Sequence, residues 1–430
     1  MNKAWPAEPK LEEPIKDNKS FCLRPWMHLM LECNGDVKPC CVIETKNLND
    51  RTPILGNANS SSLEEMWNSP FMLEMRRKML LGEKIDYCKR CYIDEAKGAV
   101  SVRQHTNFSF RSKIKKAIIG THEDGSYPEL DIIYWDVRFS NKCNFKCRTC
   151  GPEASSAWVA DRRKMVDNPE YIKGLTKHEN VEGIKSLEYL KTNADKIERI
   201  SFAGGEPLVM DEHYQLLEHL IANNNFCILT YHSNMSRLKY RDWDIIQLWK
   251  KWPIEKLWIF PSIDEIEKRA EVLRCGTVWS EVDANIREVL SLGTKYIPNI
   301  TVSCMNVNRL PEILTYLYDI GLFKSEINGF TLGMVTWPAY MQISVLPDKF
   351  KEETKHKLLN FIPEFKEKTG RDISNQLAVV IGYLDKPNNP ALTKQFIDYS
   401  AKLDALRDEN TFKTFPELEC VKEVSISDGV

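Results

Sequence analysis

The chain has 430 residues, of which 43% are hydrophobic and 28% charged. That supports a buried core and, at about 150 residues per domain, two or three domains. Its formal charge of −2 offers no electrostatic attraction to nucleic acid or to an anionic membrane, so neither partner is expected. The opening residues MNKAWPAEPKLEEPIKDNKS have no apolar centre, and no run approaches the about 20 apolar residues that cross a bilayer. The chain therefore reads as cytoplasmic.

The 13 cysteines are an odd number in a long chain without a secretion signal, which argues against a disulfide scaffold. Kept reduced, they are available as thiolates, the form that ligates metals. Their grouping organises the sequence.

Residues 1–19 are rich in Pro, Glu and Lys and read as a flexible tail. Residues 20–100 hold Cys22, Cys33, Cys40, Cys41, Cys88 and Cys91, together with one helical pattern, SSSLEEMWNSPFMLEMRRKML. Asn34–Gly35 marks a tight hairpin turn, for which Asn-Gly is favoured in two-residue form. The helix would return the Cys88/Cys91 C-x2-C pair to that hairpin. Cysteines in two such groups fit a structural zinc site as well as an iron–sulfur cluster. Residues 101–130, polar and basic and then Gly- and Pro-containing, read as a linker.

From 131 the texture changes. Short apolar runs at 132–139, 197–203, 226–232, 256–262, 299–305 and 330–335 read as strands. Between them lie helical patterns such as HYQLLEHLIA, DWDIIQLWKKW, EVDANIREVL and LPEILTYLYDI. Alternating strands and helices imply parallel pairing. Six units are too few for a closed eight-stranded barrel. The class is α/β, either a partial (β/α)6 TIM-like barrel or a doubly wound sheet, spanning 131–345. Residues 346–430 read as a helical C-terminal region, with apolar spacing in HKLLNFIPEF and KQFIDYSAKLDALRD.

After the first core strand comes SNKCNFKCRTCGP, which places Cys143, Cys147 and Cys150 in a C-x3-C-x2-C spacing. Three thiolates this close can hold three irons of a [4Fe–4S] cluster and leave the fourth open. A zinc ion, needing a fourth ligand, is the alternative. After the second strand, Gly204-Gly205-Glu206-Pro207 forms a turn. Its glycines allow close backbone approach to a ligand, and its proline stiffens the exit. An ordinary strand-to-helix turn would look similar.

The C-x3-C-x2-C motif followed by GGEP resembles the radical S-adenosylmethionine (SAM) superfamily over roughly 131–340. The resemblance implies a partial barrel and a [4Fe–4S] cluster on Cys143, Cys147 and Cys150, its open iron chelated by SAM. Reductive cleavage then generates a 5′-deoxyadenosyl radical, with electrons from a reductant such as flavodoxin or ferredoxin. The usual aromatic before the third cysteine is absent: Thr149 stands there, with Phe145 in the first gap. The resemblance gives Gly204, Gly205, Glu206 and Pro207 to the SAM amino group, and Ser233 and Asn234 at the third strand's end to the ribose position. Ser262 and Asp264, ending the fourth strand, face the same mouth. Arg274 could pair with the SAM carboxylate, a use suited to its planar fork. Helix capping or surface ion pairing would also explain these last five residues.

Cys22, Gly35, Cys40, Cys88 and Cys91 resemble twitch/SPASM auxiliary-cluster modules, here ahead of the core rather than after it. That implies a second [4Fe–4S] cluster on Cys22, Cys40, Cys88 and Cys91, closed by four ligands and serving electron transfer or structure. Cys33 and Cys41 are spare. Cys227 and Cys304, inside strands, read as core residues, whereas Cys275 lies in a loop near the mouth. The expected function is hydrogen abstraction from a substrate, a peptide or protein, with a small molecule or nucleotide as the alternative. The competing class is a non-catalytic iron–sulfur or zinc scaffold or sensor.

Overall fold

The computed structural model describes residues 15–427, apart from 16, 45–49, 97, 99, 167, 169, 172–173 and 175–183. Most of the expected tail, residues 1–14, lies outside the described residues. The chain divides into two compact units, Met1–Ser140 with Val181–Thr230 and Asn141–Asn180 with Tyr231–Val430.

In the first unit the apolar run HLML forms the strand His28–Leu31, buried along its whole length. It turns through a hairpin into Asp36–Lys38, antiparallel, with Met30 opposite Lys38 and Leu31 opposite Val37. The turn holds three residues between Glu32 and Asp36 rather than the expected two. Glu32 N donates to Asp36 O at 2.8 Å, and Gly35 takes the left-handed conformation (φ 84°), as three-residue hairpins require. On its other side His28–Leu31 pairs in parallel with Tyr134–Val137, which pairs in parallel with Arg199–Phe202. The cysteine-rich hairpin thus continues the sheet of the first two core strands.

The single helix expected at 60–80 is two, Leu63–Trp67 and Pro70–Leu80. Pro70 has no N–H to continue the first helix and holds Ser69 extended (φ −60°, ψ 154°). Ser62 and Glu65 start the first helix with a reciprocal capping box. The buried Arg76 lies 4.6 Å over the Trp67 ring and donates to Pro25 O at 2.9 Å. It fastens the second helix to the segment that follows Cys22. The expected linker 101–130 contains two further helices, Val102–Ser109 and Arg111–Ile119.

The strand Ile228–Ser233 carries the chain from the first unit into the second. There Leu257–Pro261 pairs in parallel with Lys295–Tyr296, and Asn299–Val302 pairs in parallel with Thr331–Met334. All six expected core strands are present, and helices such as Asp211–Ala222, Trp279–Ser291 and Leu310–Asp319 follow them. The α/β class and partial-barrel core are as read from the sequence. The C-terminal region is helical, with Asp348–Thr369, Ser374–Leu384 and Pro390–Arg407 as its main elements. Among the described residues no helix is long and apolar enough to cross a membrane.

Candidate functional site

Four cysteines from three sequence-distant segments meet in the first unit. Cys22 precedes the turn Arg24–Trp26, Cys40 follows the hairpin, Cys88 ends the turn Asp86–Cys88, and Cys91 sits in the helix Lys89–Ala96. All four line one cavity of about 440 Å³, its open mouth included, with Met75, Met79 and Val102 among the apolar walls. Cys33 and Cys41 are outside that lining.

Burial and the adjacent Cys91 push the Cys22 thiol up to about 11. Burial, then Cys22 and Cys91, push Cys88 up further. Thiols that resist ionisation in this way become thiolates when a metal centre neutralises them. Among the described residues no three His, Cys, Asp or Glu side chains are grouped to hold a single metal ion.

Two buried guanidiniums flank the cavity, and the sequence reading missed both. Arg24 Nη1 lies 3.4 Å from Cys41 Sγ, 3.7 Å from Cys40 Sγ and 3.1 Å from His28 Nε2. Arg103 is forked onto Glu95 at 2.6 and 2.9 Å and donates to Phe21 O at 2.8 Å. Position alone could have flagged Arg24, two residues after Cys22. Nothing local marks Arg103.

The GGEP turn also belongs to the first unit, at the end of Arg199–Phe202. Gly204 (φ 72°) and Gly205 (φ 52°) are both left-handed. A Cβ at Gly204 would sit 2.6 Å from Arg138 Cβ, so glycine is required there and the backbone stays bare. Glu206, buried, accepts from Leu208 N at 3.1 Å and caps the turn Pro207–Val209. Pro207 occupies its first position, where a missing N–H costs nothing.

The three-cysteine loop lies in the second unit. Cys147 and Lys146 form a two-residue strand, paired antiparallel with Arg274 and Cys275. Cys150 N donates to Cys147 O at 3.0 Å, and Phe145 N to Cys143 Sγ at 3.4 Å. Burial, then Cys147 and Cys143, push the Cys150 thiol well up, as three converging thiols must. A Cβ at Gly276 would come 2.8 Å from Asn144 O, so the 274–276 segment packs tightly on the loop.

Of the weaker candidates of this unit, Asn234 and Arg274 touch the same loop. Asn234 Nδ2 donates to Asn144 Oδ1 at 3.0 Å. Ser233 Oγ accepts from Met235 N, and Ser233 O accepts from Ser262 N at 2.8 Å. Asp264 is fully buried, and it accepts from Arg274 Nη1 at 2.6 Å and Thr301 N at 2.7 Å. Arg274 is therefore engaged by a protein carboxylate. Burial opposes its charge, yet Cys147 and Asp264 hold its pKa above the ordinary value. Cys275 faces Lys146 across the strand pair, whereas Cys227 and Cys304 are core residues, as expected.

Two family models match the sequence. Residues 22–92 match the SPASM iron–sulfur cluster-binding domain, and residues 137–315 match the radical SAM superfamily. No curated protein matches the sequence. Among solved structures, the chain resembles anSMEcpe with bound AdoMet (16% identity, TM-score 0.39, covering 56% of this chain and 62% of that one). It also resembles SuiB of Streptococcus suis bound to S-adenosylmethionine (13%, TM-score 0.36, 77% and 64%). The chain spans less than two thirds of the length of either structure. On the two family matches, the chain carries a radical SAM domain over residues 137–315 and, ahead of it, a SPASM-type iron–sulfur cluster-binding domain over residues 22–92.

Proposed function

We propose that the chain is an enzyme that reductively cleaves SAM and abstracts hydrogen from a peptide or protein substrate. The observation that carries this reading is the loop after the first core strand that brings together three thiols, buried Cys147 with half-buried Cys143 and Cys150, so that Cys147 and Cys143 add to burial in raising the Cys150 thiol. In this reading those thiols hold a [4Fe–4S] cluster through three irons and leave the fourth to SAM. Cys22, Cys40, Cys88 and Cys91 hold the auxiliary cluster. When bound, the SAM-binding cluster and SAM supply a 5′-deoxyadenosyl radical, and the protein's task is positioning and exclusion of water.

The bare backbone at Gly204 and Gly205 receives the SAM amino group, with Glu206 beside it and Pro207 fixing the turn. Asn234, tied to Asn144, and Ser233 serve the ribose side, and Ser262, whose backbone N donates to Ser233 O, faces the same mouth. Burial raises the Cys147 thiol, and Arg274, paired with Asp264, places positive charge beside it that offsets part of that rise. The substrate class rests on the SPASM-type module, which is found in enzymes that modify peptides. A flavodoxin- or ferredoxin-type protein supplies the electrons.

Anaerobic reconstitution followed by SAM and dithionite tests the reading. Binding of about eight irons per chain, from two four-iron clusters, with 5′-deoxyadenosine released, is expected. Fully loaded protein that leaves SAM intact would instead make the chain a non-catalytic scaffold.

Glu206→Ala should raise the SAM concentration needed for half-maximal cleavage by about tenfold, the effect of losing one charge-assisted hydrogen bond. Iron content should be unchanged. Because Glu206 also caps Leu208 N, Glu206→Gln is the control that keeps an acceptor for that bond. Unaltered SAM dependence in a folded Glu206→Ala protein would remove Glu206 from the site.

A further inference from the structure

We infer that the C-terminal segment from Pro390 to Thr411 is a clasp that holds the three-cysteine loop in its cluster-binding conformation, with Asp404 and Glu409 as positioning residues acting through Arg148. The inference rests on the ligand set proposed above.

Arg148 lies between Cys147 and Cys150, and only 1% of its side chain is exposed. A guanidinium so placed needs partners, because an uncompensated buried charge is strongly unfavourable. Its partners come from about 260 residues away: Nη2 donates to Asp404 Oδ1 at 2.7 Å and to Glu409 Oε2 at 2.6 Å. Nε reaches Val272 O at 3.3 Å, and the Arg148 backbone N donates to Leu273 O at 2.8 Å. The carboxylates are themselves held. Asp404 accepts from Thr411 N at 2.7 Å and Thr411 Oγ1 at 2.8 Å. Asp408, left-handed at φ 53°, ends the helix Pro390–Arg407, and Glu409 N donates back to Asp404 O at 3.0 Å.

A second set of contacts joins the same two segments. Asp161 accepts from Lys146 Nζ at 3.0 Å and from Arg407 Nε at 2.9 Å. The Arg407 guanidinium lies 4.5 Å over the Trp158 ring, and Trp158 Nε1 donates to Cys147 O at 3.0 Å. Three cations (Lys146, Arg148, Arg407) meet three anions (Asp161, Asp404, Glu409), so the network is balanced. Two of its cations, Lys146 and Arg148, flank Cys147. The loop is otherwise irregular, with only two strand residues of its own, so contacts from outside it decide where its sulfurs lie.

The test compares wild-type protein with Asp404→Asn/Glu409→Gln, both reconstituted to full iron content. An iron chelator is added, and release is followed together with the electron paramagnetic resonance spectrum before and after SAM. Without the anions, the buried Arg148 charge should drive the loop open. About four irons should then leave about tenfold faster than in the wild type, since both charge-assisted bonds to Arg148 are weakened to bonds with neutral acceptors. The other four should leave at the wild-type rate, and the SAM-induced spectral change should weaken. Glu409→Gln alone, which keeps the Asp404 pair, should show a smaller acceleration, and it decides the matter if the double variant does not fold. Wild-type release with an unchanged SAM response in folded variant protein would overturn the clasp. Wild-type protein that binds no SAM-responsive cluster would overturn the ligand assignment instead.

Discussion

Changing Cys143, Cys147 and Cys150 together to alanine should abolish 5′-deoxyadenosine formation and lower the iron content from about eight to about four per chain. These three thiols are the only proposed protein ligands of the SAM-binding cluster, so no partial site remains to chelate SAM. The auxiliary set, Cys22, Cys40, Cys88 and Cys91, lines a cavity in the other compact unit and should keep its four irons. The loop is also held by Arg148 and by Trp158, whose bonds to Asp404, Glu409 and the Cys147 carbonyl do not use the sulfurs. The variant should therefore fold, with a circular dichroism spectrum close to wild type. Retention of all eight irons, or continued SAM cleavage in the iron-depleted protein, would show that the ligands lie elsewhere.

Changing Cys88 and Cys91 to alanine should have the complementary outcome. About four irons remain, and SAM is still cleaved without substrate. Turnover of the true substrate is lost if the auxiliary cluster exchanges electrons with the substrate radical. Stability should fall as well, because a metal site tying the segment of Cys22, the hairpin and the helix of Cys91 together contributes folding energy. Circular dichroism and iron counts on one preparation separate these effects. A folded variant with a loaded SAM-binding cluster and normal substrate turnover would assign the auxiliary module a structural role only. Arg24 sharpens the expectation, since positive charge beside a cluster raises its reduction potential, and its guanidinium lies against Cys40 and Cys41, whereas the Arg103 charge is met by Glu95.

Much of this protein was legible in its sequence because the informative signals are local. A core strand buried between helices must be a short apolar run, and all six runs became strands. A glycine in a left-handed turn, as at Gly204, is visible as GGEP because few other residues tolerate that conformation. Three cysteines on one loop are chemically conspicuous at any resolution of reading. The four auxiliary cysteines could be grouped from motif resemblance, and the fold brings that same set to one cavity.

What the tertiary structure alone decided is the long-range part. Parallel pairing of His28–Leu31 with Tyr134–Val137 joins segments more than a hundred residues apart, and nothing in HLML names its partner strand. The three-residue hairpin depended on turn geometry, and the break at Pro70 on proline geometry that the helical period of its flanking residues obscured. Above all, the roles of Arg24, Arg103 and Arg148 were not read from the sequence. Burying a guanidinium is unfavourable unless carboxylates or other acceptors meet it, and those partners, Glu95 for Arg103 and Asp404 with Glu409 for Arg148, become neighbours only when the chain folds.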